Sequence, residues 1–204
     1  MKYAFILILF LFFHFNLKAQ TQTFDNYFKA GIAKLEKNDF TGAVVEFTIA
    51  MEIEPRKKGF LYLAHAKRKI EDYEGAIKVY SDLLSMDSTD ATVFNNRGNL
   101  KDELLQTDEA IKDYDHAIRL DSEYTEAYFN RAIANYNLKK YELCKEDFLK
   151  VLDLTPTDGE AMLGLGLAEK ELGNKIQACK YFLEAQKAGA DDAQKYWEEF
   201  CREN

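Results

Sequence analysis

The sequence predicts an all-α solenoid: five helix-turn-helix units in series, closed by a C-terminal capping helix. Three observations predict it. Small anchors at Ala43, Ala76, Ala110, Cys144 and Ala178 follow one another at intervals of 33, 34, 34 and 34 residues. Each is followed four residues on by an aromatic (Phe47, Tyr80, Tyr114, Phe148, Phe182) and seven residues on by Ala50, Leu83, Ala117, Val151 or Ala185. The chain has only two prolines, Pro55 and Pro156, and both fall 12 residues beyond an anchor, where a helix should end.

The first residues are of a different character. Lys2 is followed by the uninterrupted apolar run Tyr3 to Phe13, then Lys18 and Ala19. A charged start, a short apolar stretch and a small residue before a polar run read as a secretory signal over residues 1–19, cut after Ala19. The stretch is shorter than the roughly 20 apolar residues of a membrane span, and an uncleaved anchor is the alternative. The expected location is therefore exported: periplasmic or secreted, with envelope association open.

The array follows over residues 20–190, with units near 24–56, 57–90, 91–124, 125–158 and 159–190. Each unit reads as two amphipathic helices, with the pairs near 24–53, 57–86, 91–120, 125–154 and 159–188. In the third unit Ala110, Tyr114, Ala117 and Leu120 trace one face of a helix. Turn signals separate the two helices of each pair: Asn38-Asp39, Glu71-Asp72, Gln106-Thr107, Lys139-Lys140 and Gly173-Asn174. Asp39 and Asp72 are placed to cap the helix that follows. Residues 191–204 form the cap, in which Ala193, Tyr196, Trp197 and Phe200 line one face.

The chain has 204 residues, 47% hydrophobic and 30% charged, with a net charge of −8. Loss of a leader carrying Lys2 and Lys18 and no acid would move that charge from −8 to −10. An acidic chain gains little from phosphate counterion release, which argues against nucleic acid as a partner. Arg56, Lys57, Lys58, Lys67, Arg68 and Lys69 crowd around one helix, as a solvated face or as a docking patch. Cys144 occupies an alanine register, and neighbouring helices about 10 Å apart would keep it from Cys179. Cys144, Cys179 and Cys201 are therefore expected as free, mostly buried thiols.

No catalytic chemistry is legible. Beyond the leader only His65 and His116 remain, 51 residues apart, and no Ser or Cys has a His and an acid set around it. Gly164-Leu165-Gly166 begins a dinucleotide-like pattern, but Glu169 stands where its third glycine belongs and no strand precedes it. A non-enzymatic protein without metal or cofactor is expected.

The pattern resembles the tetratricopeptide repeat (TPR) over about residues 24–190. The first helix of the repeat is visible as Tyr27-x-x-Ala30-Gly31, Phe60-x-x-Leu63-Ala64, Phe94-x-x-Arg97-Gly98, Tyr128-x-x-Arg131-Ala132 and Met162-x-x-Leu165-Gly166. Phe40, Tyr73 and Tyr141 precede their anchors by three residues. Thr107 and Lys175 depart from this, and Ser88 and Ser122 replace the proline that closes the repeat. With its leader, the chain resembles exported bacterial TPR proteins.

The resemblance implies a right-handed superhelix whose concave face, built from first helices, binds partner peptides. It places Phe28, Tyr62, His65, Asn95, Asn96, Asn99, Phe129, Asn130, Ile133 and Tyr136 in the groove, with Ile32, Leu61 and Leu163 beside them. The four asparagines could bridge a peptide backbone, and the apolar neighbours could form side-chain pockets. A carboxylate clamp of the kind some TPR domains use is excluded, because its basic sites hold Asn95, Glu160 and Gly164. Two functions follow: an exported adaptor that binds an extended peptide or protein in the groove, or a structural subunit of an envelope complex using convex or terminal surfaces. Self-association through the last helix is a third, and the sequence does not set the oligomeric state.

Overall fold

The computed structural model describes residues 23–202, so the expected signal segment lies outside the described residues. These residues form eleven helices and no strand. They divide into two compact bodies, with the boundary between Ser88 and Thr89.

The first body holds α1 (residues 23–36), α2 (Phe40–Ile53), α3 (Lys57–Lys69) and α4 (Tyr73–Met86). The second holds α5 (Ala91–Glu103), α6 (Thr107–Leu120), α7 (Thr125–Asn137), α8 (Tyr141–Leu154), α9 (Gly159–Glu171), α10 (Lys175–Lys187) and α11 (Ala193–Phe200). Within each body, helices adjacent in sequence pack on one another, as helix pairs joined by short loops must.

The helix ends explain why the chain turns where it does. Carboxylates of Asp39, Asp72, Asp90 and Asp158 accept the backbone N–H of Gly42, Gly75, Thr92 and Ala161, each at 2.9 Å. At the end of each first helix one residue turns left-handed: Asn38, Glu71, Leu105, Lys139 and Gly173, with φ between 59° and 81°. The following N–H then closes back on the helix, as Asp39 does on the Lys34 carbonyl and Gln106 on that of Lys101, both at 2.9 Å. Only Gly173 adopts this conformation without steric cost. The third turn is not the polar Gln106-Thr107 of the sequence reading. It centres on Leu105, a residue 88% exposed, because helix closure selects position over polarity.

The repeating residues are the core. Ala43, Ala76, Ala110, Cys144 and Ala178 are fully buried, and Phe47, Tyr80, Tyr114, Phe148 and Phe182 are at most 8% exposed. The small residue on each first helix makes room for the aromatic on the second. A Cβ on Gly98 would lie 2.7 Å from the Tyr114 ring, and one on Gly166 would lie 2.5 Å from Phe182. The glycines are therefore set by close approach, not by turn geometry.

The capping helix covers the end of the last repeat. Tyr196 stacks on Phe182 at 5.7 Å, Phe200 meets the same ring edge-on at 6.4 Å, and Trp197 packs in the same cluster. Here the thiol expectation is overturned: Cys179 and Cys201 form a disulfide with Cα atoms 5.5 Å apart. Helix spacing does keep Cys144 apart from this pair. The return of α11 onto α10 brings the other two together. Cys144 alone is free, and burial pushes its thiol up to about 12, which makes it unreactive. The denatured, unreduced protein is expected to titrate one thiol, and three after reduction. Because the bridge closes a 22-residue separation, reduction is expected to cost about 3 kcal/mol and to expose Trp197, read as a red shift of its fluorescence.

Candidate functional site

The strongest candidate site lies in the second body, on the face shared by two first helices, α7 and α9. Phe129, Ile133 and Tyr136 project from α7 at i, i+4 and i+7, and Glu160, Leu163, Gly164 and Leu167 come from α9. With Phe148 of α8 they enclose an apolar cleft of about 220 Å³. Phe148 forms its floor. The ring is 3% exposed, meets Phe129 edge-on at 5.4 Å, and sits where a Cβ on Gly164 would approach within 2.4 Å. The absence of a side chain at Gly164 therefore lets the Phe148 ring lie against α9. Burial, followed by the charge of Glu171, pushes the Tyr136 hydroxyl up to about 12, so it stays neutral. Glu160 stands exposed at the edge of the cleft.

Three of the ten predicted groove residues, Phe129, Ile133 and Tyr136, meet here, together with Leu163. Phe148 and Leu167 were missed. Leu167 could have been found by adding one period of 34 to Ile133; Phe148 could not, since its register marks it as core.

Of the asparagine cluster only Asn95 is buried, while Asn99 and Asn130 are half-buried. Asn95 is 1% exposed: its amide donates to the Tyr124 hydroxyl (3.4 Å) and its carbonyl accepts from Asn130 (3.0 Å). The Asn99 carbonyl accepts from the buried Tyr114 hydroxyl at 2.9 Å. Three of the four asparagines predicted to read a peptide backbone thus bond within their own chain, and for the buried Asn95 this matches its polar atoms. Asn96 remains half-buried on the same helix.

In the first body, Phe28 and Tyr62 belong to an aromatic cluster with ring centroids 5.2 Å apart, joined by Phe24 and Phe47. Tyr62 is 40% exposed, and His65 is exposed one turn further along α3. Much of the basic segment is engaged within this body. Arg56 lies 4.1 Å over the Phe24 ring and bonds Asp25 and Glu54, Lys58 covers Phe28 at 4.6 Å, and Lys67 pairs with Asp72 at 2.6 Å.

A set of buried carboxylates positions the helices behind the cleft. Arg97 grips Asp113 with two bonds (2.8 and 2.6 Å), and Lys101 joins at 2.7 Å. One period later Arg131 grips Asp147 in the same way (2.9 and 2.6 Å) and reaches Asp115 at 2.6 Å. In the last repeat Glu169 is held by Lys145 at 2.8 Å and Asn174 at 2.6 Å. Burial by itself pushes the Glu169 carboxyl up, but those two hydrogen bonds outweigh it and hold the group below its ordinary 4.5. A depressed folded value stabilises fully above the unfolded one and is lost as pH falls through it. Glu169→Gln is expected to flatten the decline of stability between about pH 5 and 3 in a denaturation series.

Comparison with known proteins matches the middle of the chain to two family models, "TPR repeat" over residues 106–139 and "Tetratricopeptide repeat" over residues 125–158. Among curated proteins it is similar to serine/threonine-protein phosphatase 5 of Rattus norvegicus, 33% identical over 98 residues, covering 47% of this chain and 19% of that protein. RNA polymerase II-associated protein 3 of Rattus norvegicus is 34% identical over 144 residues, covering 71% of this chain and 21% of that protein. The chain thus spans about a fifth of the length of these relatives.

Among solved structures it is similar to MamA (TM-score 0.77, 23% identity, 85% of this chain and 96% of that one) and to a tetratricopeptide repeat protein of Parabacteroides merdae (TM-score 0.80, 23% identity, 88% and 72%). It is also similar to YrrB, described as a TPR protein with an unusual peptide-binding site (TM-score 0.72, 18% identity, 87% and 96%). These likenesses concern the fold. Family matches, structural likeness and the recurring small-aromatic packing agree: this chain carries tetratricopeptide repeats and has the all-helical fold of a TPR solenoid.

Proposed function

We propose that this protein is a non-enzymatic interaction adaptor that binds an extended segment of a partner protein on the first-helix face of α7 and α9. The apolar cleft carries this reading, since its walls offer a side-chain pocket on helices that a buried ion-pair network holds in place. The peptide-binding site described for YrrB, a protein of the same fold, supports it by analogy.

We place the adaptor outside the cytoplasm, in the envelope or secreted. The signal-like residues 1–19 support export, as does the Cys179–Cys201 bridge, a bond that persists in oxidising compartments. No helix among the described residues is long and apolar enough to cross a membrane.

Photo-crosslinking tests the site. A photoreactive residue at Ile133, on the cleft wall, is expected to label a partner in cells, while one at Leu149, 42% exposed on the second helix α8, is not. Labelling from Leu149 alone would favour the structural subunit acting through second-helix surfaces. A C-terminal fusion to a reporter that folds only in oxidising conditions tests export, and an inactive fusion would refute it.

A further inference from the structure

The chemistry of the cleft specifies more than an apolar ligand. We propose that its partner segment carries one bulky apolar side chain with a Lys or Arg within two or three residues, the first entering the cleft and the second meeting Glu160. This rests on the adaptor reading and adds the charge of the ligand to it.

Two observations carry it. The interior is walled by Phe129, Ile133, Leu163 and Leu167, in a space of about 220 Å³. An α-helix, about 10 Å across with its side chains, does not enter such a space, whereas one side chain from an extended segment does. The second observation is the state of Glu160. The buried carboxylates of this body all have cations: Asp113 has Arg97 and Lys101, Asp147 has Arg131, and Glu169 has Lys145. Glu160, beside the apolar wall, makes no ion pair among the described residues. It lies in the first turn of α9. One period earlier Glu126 occupies the first turn of α7, exposed and bonded by the Tyr124 hydroxyl at 3.2 Å. An apolar wall with the unpaired Glu160 at its edge selects a cation next to the anchoring side chain and repels acidic segments.

Selection from a library of random linear dodecapeptides on the purified protein tests this. Enriched peptides are expected to share an aromatic or aliphatic residue with Lys or Arg nearby. A synthetic copy of the best peptide should bind Glu160→Lys about 5- to 10-fold more weakly at low salt, with the difference shrinking in 0.5 M salt. Selection on Glu160→Lys should shift toward acidic peptides. Ile133→Trp, which fills the cleft from a side chain 39% exposed, should lose the peptide. Ile133→Ser, a polar change at the same accessible position, should weaken it even if the tryptophan disturbs folding. Enriched peptides that lack a basic residue, yet are lost in both Ile133 variants, overturn the charge assignment and leave the adaptor reading standing. Binding indifferent to both Ile133 variants, or no enrichment at all, overturns the proposal and the cleft-binding reading together.

Discussion

Replacing Arg131 alone by leucine is expected to destabilise the second body by about 3–5 kcal/mol, measured as a lower urea midpoint at unchanged slope. The Asp147 side chain is 6% exposed and receives two bonds from Arg131, with one weaker contact from Asn135 at 3.4 Å. Burial pushes its carboxyl above the usual range even with the guanidinium opposing. Without the cation, a buried carboxylate has no compensating charge, and this is where the large cost arises. The pair itself need not be favourable. In the second repeat the same two registers hold Leu63 and Val79, both buried, and in the fifth they hold Leu165 and Tyr181. The double change Arg131→Leu with Asp147→Val is therefore expected to recover all but about 1–2 kcal/mol, the remainder being the lost partner of Asn135. Asp115, whose side chain is 37% exposed, can turn to water. A double variant as unstable as Arg131→Leu would mean that the pair is itself stabilising.

Phe148→Ala is expected to cost about 3–5 kcal/mol and to abolish binding at the cleft. The ring is the buried aromatic of the fourth repeat and also the surface on which the cleft rests, in contact with Phe129 and fitted against Gly164 of the next repeat. Its removal leaves a cavity that opens directly into the cleft, so Phe129 and Leu163 lose their spacing. Phe182→Ala should cost about as much, because Phe182 is also fully buried and carries Tyr196 and Phe200. Phe182 does not line the cleft, and in the fraction of protein still folded, peptide affinity should be retained. Measuring both quantities in both variants separates packing from ligand contact. Equal loss of binding would mean that the cleft depends on the whole array, not on its own floor.

Much of the fold is legible in the sequence because its signal is local and repeated. The anchor at Ala110, the aromatic at Tyr114 and the glycine at Gly98 lie within 16 residues of one another and meet in the core of one repeat. The same relation recurs one period on, so each repeat reports on its neighbours. The cleft was half legible for the same reason: Phe129, Ile133 and Tyr136 form a helix face that register alone places. The internal bonds of the asparagines were not legible, because side-chain type does not say whether a polar group meets solvent or another asparagine. Asn95 and Asn130 lie 35 residues apart and bond only because adjacent first helices approach closely enough.

The amino-acid sequence alone determined the number of repeats, the helix pairs, the alternation of small and aromatic core positions, and the face on which a ligand would be sought. These follow from periodic burial, which a linear pattern records. Tertiary structure decided which polar groups are spent internally, that Cys201 returns to Cys179, and that Gly164 and Phe148 leave a cleft rather than a filled interface. Each of those outcomes turns on a separation of an ångström or two between helices, and hydrogen bonds, disulfides and cavities depend on that distance far more steeply than hydrophobic burial does.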